Sequence, residues 1–330
     1  MNKTSLRSLG KTGLMVSPIG LGTTEIGYIY GIGPRNLPAE NEVIELLRRA
    51  VDLGITFIDT GHFYGVAEER IGKSGIAKLE GVIVSTKCGH ALDRGEEITA
   101  KELSKQFREE VEESLRKLKL DSLPLVQVHG GSAEQIASGI ISNAMSKLKD
   151  QGKLRHFGIS TRGEEAPIAA IKNGSFETLQ LAHSILDQRM TKKVFGIAKK
   201  ENVGIINRSV LLKGALTRAR SYLAPSLKPL KNNAEKAEKI AKEIGTDLPS
   251  LAIRFAISNK NIDTVLVGSN KIKNIEAAVK AADDGPLPGD VLAALKKLAI
   301  ADPLQVDPKN WPIDYVTDTK DGKKVHGNTK

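Results

Sequence analysis

Residues 56–65 read TFIDTGHFYG. An apolar run stops on an acid, Asp59, and within six residues the chain presents His62, Tyr64 and two glycines, Gly61 and Gly65. A solvated turn uses the glycines and the acid but has no need of a phenol. A buried strand that ends at a functional loop accounts for all of them.

The same grammar recurs along the chain. IGLGT (19–23) precedes a helical pattern over 40–52, TFIDT (56–60) one over 68–74, and VIVSTK (82–87) one over 100–118. LVQVH (125–129) is followed by a helix over 133–149, HFGIS (156–160) by 164–172, and TLQLA (178–182) by 188–200. VGIIN (203–207) leads into two helical segments, 233–244 and 250–258, and TVLVG (264–268) into 272–282. In the third helix Leu103, Phe107, Val111, Leu115 and Leu118 form one apolar stripe. The short runs are almost continuously apolar, as in strands covered on both faces. Eight strand-then-helix units with right-handed crossovers predict an α/β fold, a (β/α)8 TIM barrel with outer helices. An open doubly wound sheet is the alternative, but no charged or proline-broken edge strand is evident.

No linker divides the runs, so residues 1–300 read as one barrel and 301–330 as a C-terminal extension. The extension holds WPIDY (311–315) and a polar tail, TDTKDGKKVHGNTK (317–330), whose composition predicts disorder.

With 330 residues, 40% hydrophobic and 27% charged, the chain has ordinary globular composition. The single cysteine, Cys88, excludes an internal disulfide framework and suits a reducing compartment. MNKTSLRSLG lacks the apolar core of a signal peptide and no stretch has membrane-spanning length, so a cytoplasmic protein with no membrane partner is expected. The net charge of +10 raises nucleic-acid binding. The basic residues are interleaved with glutamates, as in ELSKQFREEVEESLRKLK (102–119), and no zinc-finger or aromatic RNA-binding motif occurs. Scattered charge of this kind fits solubility or attraction of a phosphorylated small molecule, and no nucleic-acid partner is expected.

A barrel of this type carries its site at the carboxyl ends of its strands. The last residues of successive runs include Asp59, Lys87, His129, Ser160 and Gln180. Singly, these are a helix or turn cap, a solvated lysine and satisfied polar groups. Together they bring an acid, an amine and an imidazole to one mouth.

In these contexts the chain resembles the aldo/keto reductases. The resemblance rests on GITFIDT (54–60) with Tyr64-Gly65, on VSTKCG (84–89), on LVQVH, and on GKLRHFGIS (152–160), and it runs from about residue 6 to about residue 282. It implies a catalytic tetrad of Asp59, Tyr64, Lys87 and His129, which interconverts an aldehyde, ketone or sugar carbonyl with its alcohol. The chemistry of the four types is consistent with that role. Carbonyl reduction by hydride places negative charge on oxygen, which must receive a proton. A free phenol, with a pKa of about 10, is a poor donor or acceptor near neutrality. A nearby ammonium favours the phenolate, an aspartate holds that ammonium charged, and an imidazole orients the substrate oxygen.

The resemblance also implies NADP(H), or less favourably NAD(H). Thr23 ends the first run; Ser160 and Gln180 would hold the nicotinamide carboxamide; Arg208, Ser209 and Leu211 in NRSVLLKGAL (207–216) would follow the nicotinamide and pyrophosphate. Gly268, Ser269 and Lys271 in VGSNKIKNIEAA (267–278) would take the adenosine phosphate at a helix start. The chain departs from the family pattern in three places: Thr161 stands for an asparagine, Arg208 for a tyrosine, and Ala277-Ala278 for a Glu-Asn pair. Lys271 and Lys273 favour a 2′-phosphate. Tyr28, Tyr30, Phe63, His90 and Trp311 are candidates to line a pocket for a small-molecule carbonyl or sugar.

Three other functions compete. A nicotinamide-binding redox-sensing or regulatory subunit would use the fold with little catalysis. A metal-dependent barrel hydrolase would draw on His62, His90 and His129, although no HxH pair or adjacent carboxylate ligand set is evident and no metal is expected. A Schiff-base enzyme would use Lys87 as its nucleophile. The sequence carries no signal for oligomeric state.

Overall fold

The computed structural model describes residues 5–312. A short antiparallel hairpin, β1 (Arg7–Ser8) and β2 (Met15–Val16), precedes eight parallel strands. These are β3 (Ile19–Gly22), β4 (Phe57–Asp59), β5 (Ile83–Cys88), β6 (Leu123–His129), β7 (Leu154–Ser160), β8 (Thr178–Ala182), β9 (Gly204–Arg208) and β10 (Thr264–Gly268). Each pairs with the next in sequence, and β10 closes on β3 from Val265↔Ile19 to Gly268↔Gly22. That closure excludes the open sheet.

Side chains alternate across a strand, and a closed sheet turns that alternation into inside and outside. Ile58, Val84, Val126, Val128, Ile159, Leu179, Ile205 and Val265 face outward into the layer shared with the helices. Phe57, Ile83, Leu125, Ile206 and Leu266 face inward and fill the lower barrel, where Leu9 and Val16 of the hairpin region join them. The hairpin therefore plugs the amino-terminal end, a feature the run pattern did not announce. Above this apolar floor the inward positions become small or polar: Gly158, Gln127 and Thr178 sit together, with Gln127 Nε2 donating to Thr178 Oγ1 at 2.6 Å. A Cβ on Gly158 would lie 2.0 Å from that hydroxyl, so only glycine fits there.

The outer helices follow the expected stripes closely. Ala100–Leu118 is capped by Thr99, whose side chain accepts from Glu102 N while Glu102 returns a bond to Thr99 N. It buries Leu103, Phe107, Val111 and Leu118. The single helix expected over 133–149 is instead two, Ala133–Ala137 and Ile140–Asp150. The break falls at Gly139, which takes φ 80°, a left-handed conformation that glycine adopts without a Cβ clash.

A second apolar cluster joins Ile185, Leu186, Leu230, Leu251 and Phe255 to the helix Gly289–Lys296 and to Trp311. It fastens the chain after the barrel, where Pro303–Val306 and Pro308–Asn310 form short turns. The expected disordered tail, 317–330, and most of 311–315 lie outside the described residues. Among the described residues no helix is long and apolar enough to cross a membrane.

His183 lies in this second region, stacked at 5.4 Å on Phe255, and burial lowers its pKa to about 4. The unfolded chain takes up that proton near the ordinary 6.5, so the unfolded state binds more protons between those values. Stability should therefore fall as pH drops from about 6.5 to about 4, by about 3 kcal/mol from this group. Denaturant midpoints at pH 7 and pH 4.5 check it: the drop should be smaller by most of that amount in His183→Phe.

Candidate active site

The inward parity that fills the lower barrel also aims Gly22, Asp59, Lys87, His129, Ser160, Gln180, Arg208 and Gly268 into the carboxyl-terminal mouth. His129 stands opposite Ser160, and Ser160 opposite Gln180, in consecutive strand pairs. The sequence-expected strand-end residues thus share one ring.

Lys87 is 1% exposed and Asp59 is 3% exposed, so the pair is sealed from water. Lys87 Nζ donates to Asp59 Oδ2 at 2.6 Å and to Thr60 O at 2.8 Å. Gln180 Nε2 donates to Asp59 Oδ1 at 2.7 Å, which satisfies the other carboxylate oxygen. Thr23, also fully buried, donates its hydroxyl to Asp59 O at 2.9 Å. Burial pulls on the Lys87 ammonium, but the Asp59 charge beside it and the Tyr64 phenol outweigh that pull and hold its pKa above the usual lysine value.

Tyr64 reaches this pair from the loop after β4. Its ring centre lies 4.8 Å from Lys87 Nζ. The glycines explain how the loop turns inward. Gly65 takes φ 54°, and a Cβ there would meet Gly27 O at 2.4 Å; a Cβ on Gly27 would meet Tyr64 O at 1.9 Å. Two backbones therefore touch where no side chain fits, and Val66 N donates to Gly27 O at 3.2 Å to fix the contact. Gly61 has no such constraint: a Cβ there would meet the Phe63 and Tyr64 rings at 3.4 Å, an ordinary contact distance.

An aromatic wall surrounds the phenol. Phe63 stacks on His90 with centroids 4.1 Å apart and lies 4.7 Å from both Tyr64 and His129. Tyr28 stands 6.1 Å from Tyr64 and 5.9 Å from Tyr30. Of the expected pocket residues these four gather at the mouth, whereas Trp311 is buried in the second apolar cluster, its Nε1 donating to Gln305 O at 2.8 Å. His62 turns toward Glu113, at 3.6 Å, and does not join the other two histidines.

His90 Nδ1 and His129 Nδ1 are 3.3 Å apart, and Asp93 Oδ2 is 3.9 Å from His129 Nδ1. Sequence reasoning missed Asp93. It sits three residues after His90 on the helix His90–Arg94, a spacing that shares a face only once that helix is known. Arg162 contacts the Asp93 carboxylate and faces Asp307 at 3.6 Å, and Lys309 Nζ donates to Asp93 O at 2.5 Å. The chain after the barrel thereby straps the mouth. Burial lowers the pKa of His129 well below the ordinary imidazole value, with Asp93 opposing, so the ring is neutral at pH 7.

The remaining expected positions lie around β7, β9 and β10. Thr161 Oγ1 is buried with no hydrogen-bond partner, beside Ser160. Arg208 donates to Thr161 O at 3.1 Å and to Ser209 Oγ at 3.3 Å, and burial lowers its pKa. Ser209 (φ 60°), Leu212 (φ 46°) and Lys213 (φ 54°) hold left-handed conformations within five residues, strain of the kind that collects at ligand-contacting loops. Leu211 is partly buried against the core. Gly268 and Gly22 face one another in register, leaving the β3–β10 seam bare of side chains. Ser269 Oγ accepts from Lys271 N at 3.1 Å and from Asn274 Nδ2 at 3.0 Å. Lys271 is exposed, and Glu25 lies near it, 3.9 Å from Arg35, with a carboxyl that burial raises to about 7 against both cations. An unpartnered buried hydroxyl, a half-buried guanidinium and a pair of facing glycines beside exposed lysines fit a dinucleotide with an amide at one end and phosphates at the other.

Known proteins resemble this chain over most of its length. The model of the aldo/keto reductase family matches residues 18–300. L-galactose dehydrogenase of Arabidopsis thaliana is 31% identical over 298 residues, spanning 86% of this chain and 90% of that protein. The NADH-specific methylglyoxal reductase of Escherichia coli is 26% identical, over 83% and 92% of the two chains. In fold, the chain is similar to the holo form of an aldo-keto reductase from Bacillus halodurans, with a TM-score of 0.75, 24% identity, and 93% and 99% coverage. This chain belongs to the aldo/keto reductase family, whose oxidoreductases use nicotinamide cofactors.

Proposed function

We propose that the protein interconverts an aldehyde, ketone or sugar carbonyl with its alcohol, with Tyr64 as proton donor and acceptor, Lys87 and Asp59 activating it, and His129 orienting the reacting oxygen. The observation that carries this reading is a water-excluded ammonium, Lys87, fixed by Asp59 and Thr60 O with the Tyr64 ring 4.8 Å away at the strand ends. An ammonium has three donors. Two are committed to oxygen acceptors, and the third is left to favour the phenolate of Tyr64. As negative charge develops on the substrate oxygen, Tyr64 releases its proton to it, and the neutral imidazole of His129 donates a hydrogen bond that holds the oxygen in place. Phe63, Tyr28 and Tyr30 wall the mouth and keep water from the exchange.

The nicotinamide nucleotide supplies or takes the hydride when bound. Ser160, Thr161 and the Gln180 carbonyl would hold its carboxamide, Arg208, Ser209 and Leu211 its middle, and Gly268, Ser269 and Lys271 its adenosine phosphate. Lys271 and Lys273 support NADP(H). NAD(H) is the second reading, favoured by the NADH-specific relative. The sugar class is supported by the L-galactose dehydrogenase relative.

The competing functions are less well supported. Lys87 as a charged donor to two oxygens has no lone pair for a Schiff base. The assembled lysine, aspartate and tyrosine are more than a passive nucleotide-binding subunit needs. We extend the proposal to one catalytic unit over residues 1–300 with a C-terminal extension, located in the cytoplasm, where its one cysteine, buried Cys88, stays reduced.

Two outcomes are expected. Tyr64→Phe should lower kcat roughly a hundred- to ten-thousand-fold with nucleotide binding, read by fluorescence titration, unchanged. Full turnover in that variant, over a carbonyl panel run in both directions with both nicotinamides, would refute the assignment. Asp59→Asn should abolish activity and cost about 3–5 kcal/mol of stability, because a buried ammonium loses its counter-charge. In denaturant titrations Asp59→Asn/Lys87→Met should regain most of that stability while remaining inactive.

A further inference from the structure

His90 has no part in the catalytic set that the family resemblance implies, and its contact with His129 adds to the reading of His129 proposed above, on which this inference rests. Two neutral imidazole nitrogens 3.3 Å apart hold one proton between them. We propose that His90 is the positioning residue of His129: the Nδ1–H of His90 donates to the bare Nδ1 of His129, which fixes the His129 proton on Nε2, where it serves the reacting oxygen.

The proton could instead sit on His129 Nδ1. The bare Nε2 would then present a lone pair to an oxygen that is gaining negative charge, which opposes the reaction. Asp93 does not claim that proton either, since its Oδ2 lies 3.9 Å from His129 Nδ1, beyond hydrogen-bond reach, and Arg162 engages its carboxylate. The ring of His90 is held for the task by Phe63, stacked at 4.1 Å and 11°. The same phenylalanine touches Tyr64 and His129, so one rigid ring sets the relation of donor, orienter and positioner.

His90, Asp93 and His129 also lie close enough to one another to hold a cation. The 3.3 Å separation matches a tetrahedral zinc edge, about 3.3 Å for bonds of 2.0–2.1 Å. That occupant would sit beside Arg162, which holds the ligand carboxylate, and beside Lys309 on the Asp93 carbonyl. Two cations already beside Asp93, one on its carboxylate and one on its backbone carbonyl, disfavour a third, and the hydrogen bond explains the pair without it.

The deciding measurement is 15N histidine NMR on the full-length protein with NADP+ or NAD+ bound. His129 should appear as the Nε2–H tautomer and His90 as Nδ1–H; a His129 Nδ1–H resonance would overturn the proposal. In His90→Phe, which keeps the stacking surface and loses the donor, His129 should become a tautomer mixture. Turnover should fall roughly tenfold to a hundredfold at unchanged nucleotide affinity, the scale of weakening one donor to a developing oxyanion. His90→Asn, which restores an N–H, should recover part of that loss. Unchanged turnover in His90→Phe would overturn the proposal, as would one zinc per chain in the purified protein that His90→Phe loses. The tautomer readout needs no turnover, so a Tyr64→Phe variant with full activity would sink the catalytic reading and leave the His90–His129 assignment standing.

Discussion

A lysine ammonium held dry at the mouth of the barrel constrains everything around it. Taking Lys87 and Asp59 out of water costs several kcal/mol for each ion, and their mutual attraction repays that only if every remaining donor and acceptor is placed. The surroundings meet that condition. Thr60 O accepts a second hydrogen bond from Lys87, Gln180 donates to the second Asp59 carboxylate oxygen, and the Thr23 hydroxyl anchors the Asp59 backbone. Bonds from β5 and β8 meet on the Asp59 carboxylate, while the ends of β3 and β4 bind the Asp59 backbone and the Lys87 ammonium. The arrangement is therefore a joint between strands as well as a charge store.

Around that joint the loops are fixed by close approach more than by hydrogen-bond count. Gly27 and Gly65 let two backbones touch, and the contact turns Tyr64 toward the ammonium. Phe63 then carries order outward to His90 and His129. On the far side, Arg162 and Lys309 tie the helix His90–Arg94 to the chain that follows the barrel, through Asp93 and Asp307. The mouth is built from both ends of the polypeptide, and the floor from its beginning, where Leu9 and Val16 close the apolar layer.

The run-and-helix rhythm was enough to read the barrel because buried parallel strands and amphipathic helices leave unmistakable periods in a chain. The eight strands and most helices lie where those periods put them. The helix over 133–149 was the exception, since a single glycine at 139 carries no periodic signal. The hairpin of β1 and β2 was also missed, because two-residue strands are too short to have a period. Residue chemistry at the strand ends brought out Asp59, Lys87 and His129, and the motifs around them brought out Tyr64.

By itself, then, the sequence determined the order of elements, the barrel as the expected fold and the residue types that reach the mouth, all of which follow from local periodicity and strand-end position. Only the tertiary structure decided their partners. Whether Gln180 would spend its amide on Asp59, whether His62 or Asp93 would stand with His90 and His129, and whether Trp311 would line a pocket or fill a core depend on the shear of the barrel and on loop paths. These are distances between residues far apart in the chain, and no local pattern encodes them, because closure of the sheet sets which inward side chains become neighbours.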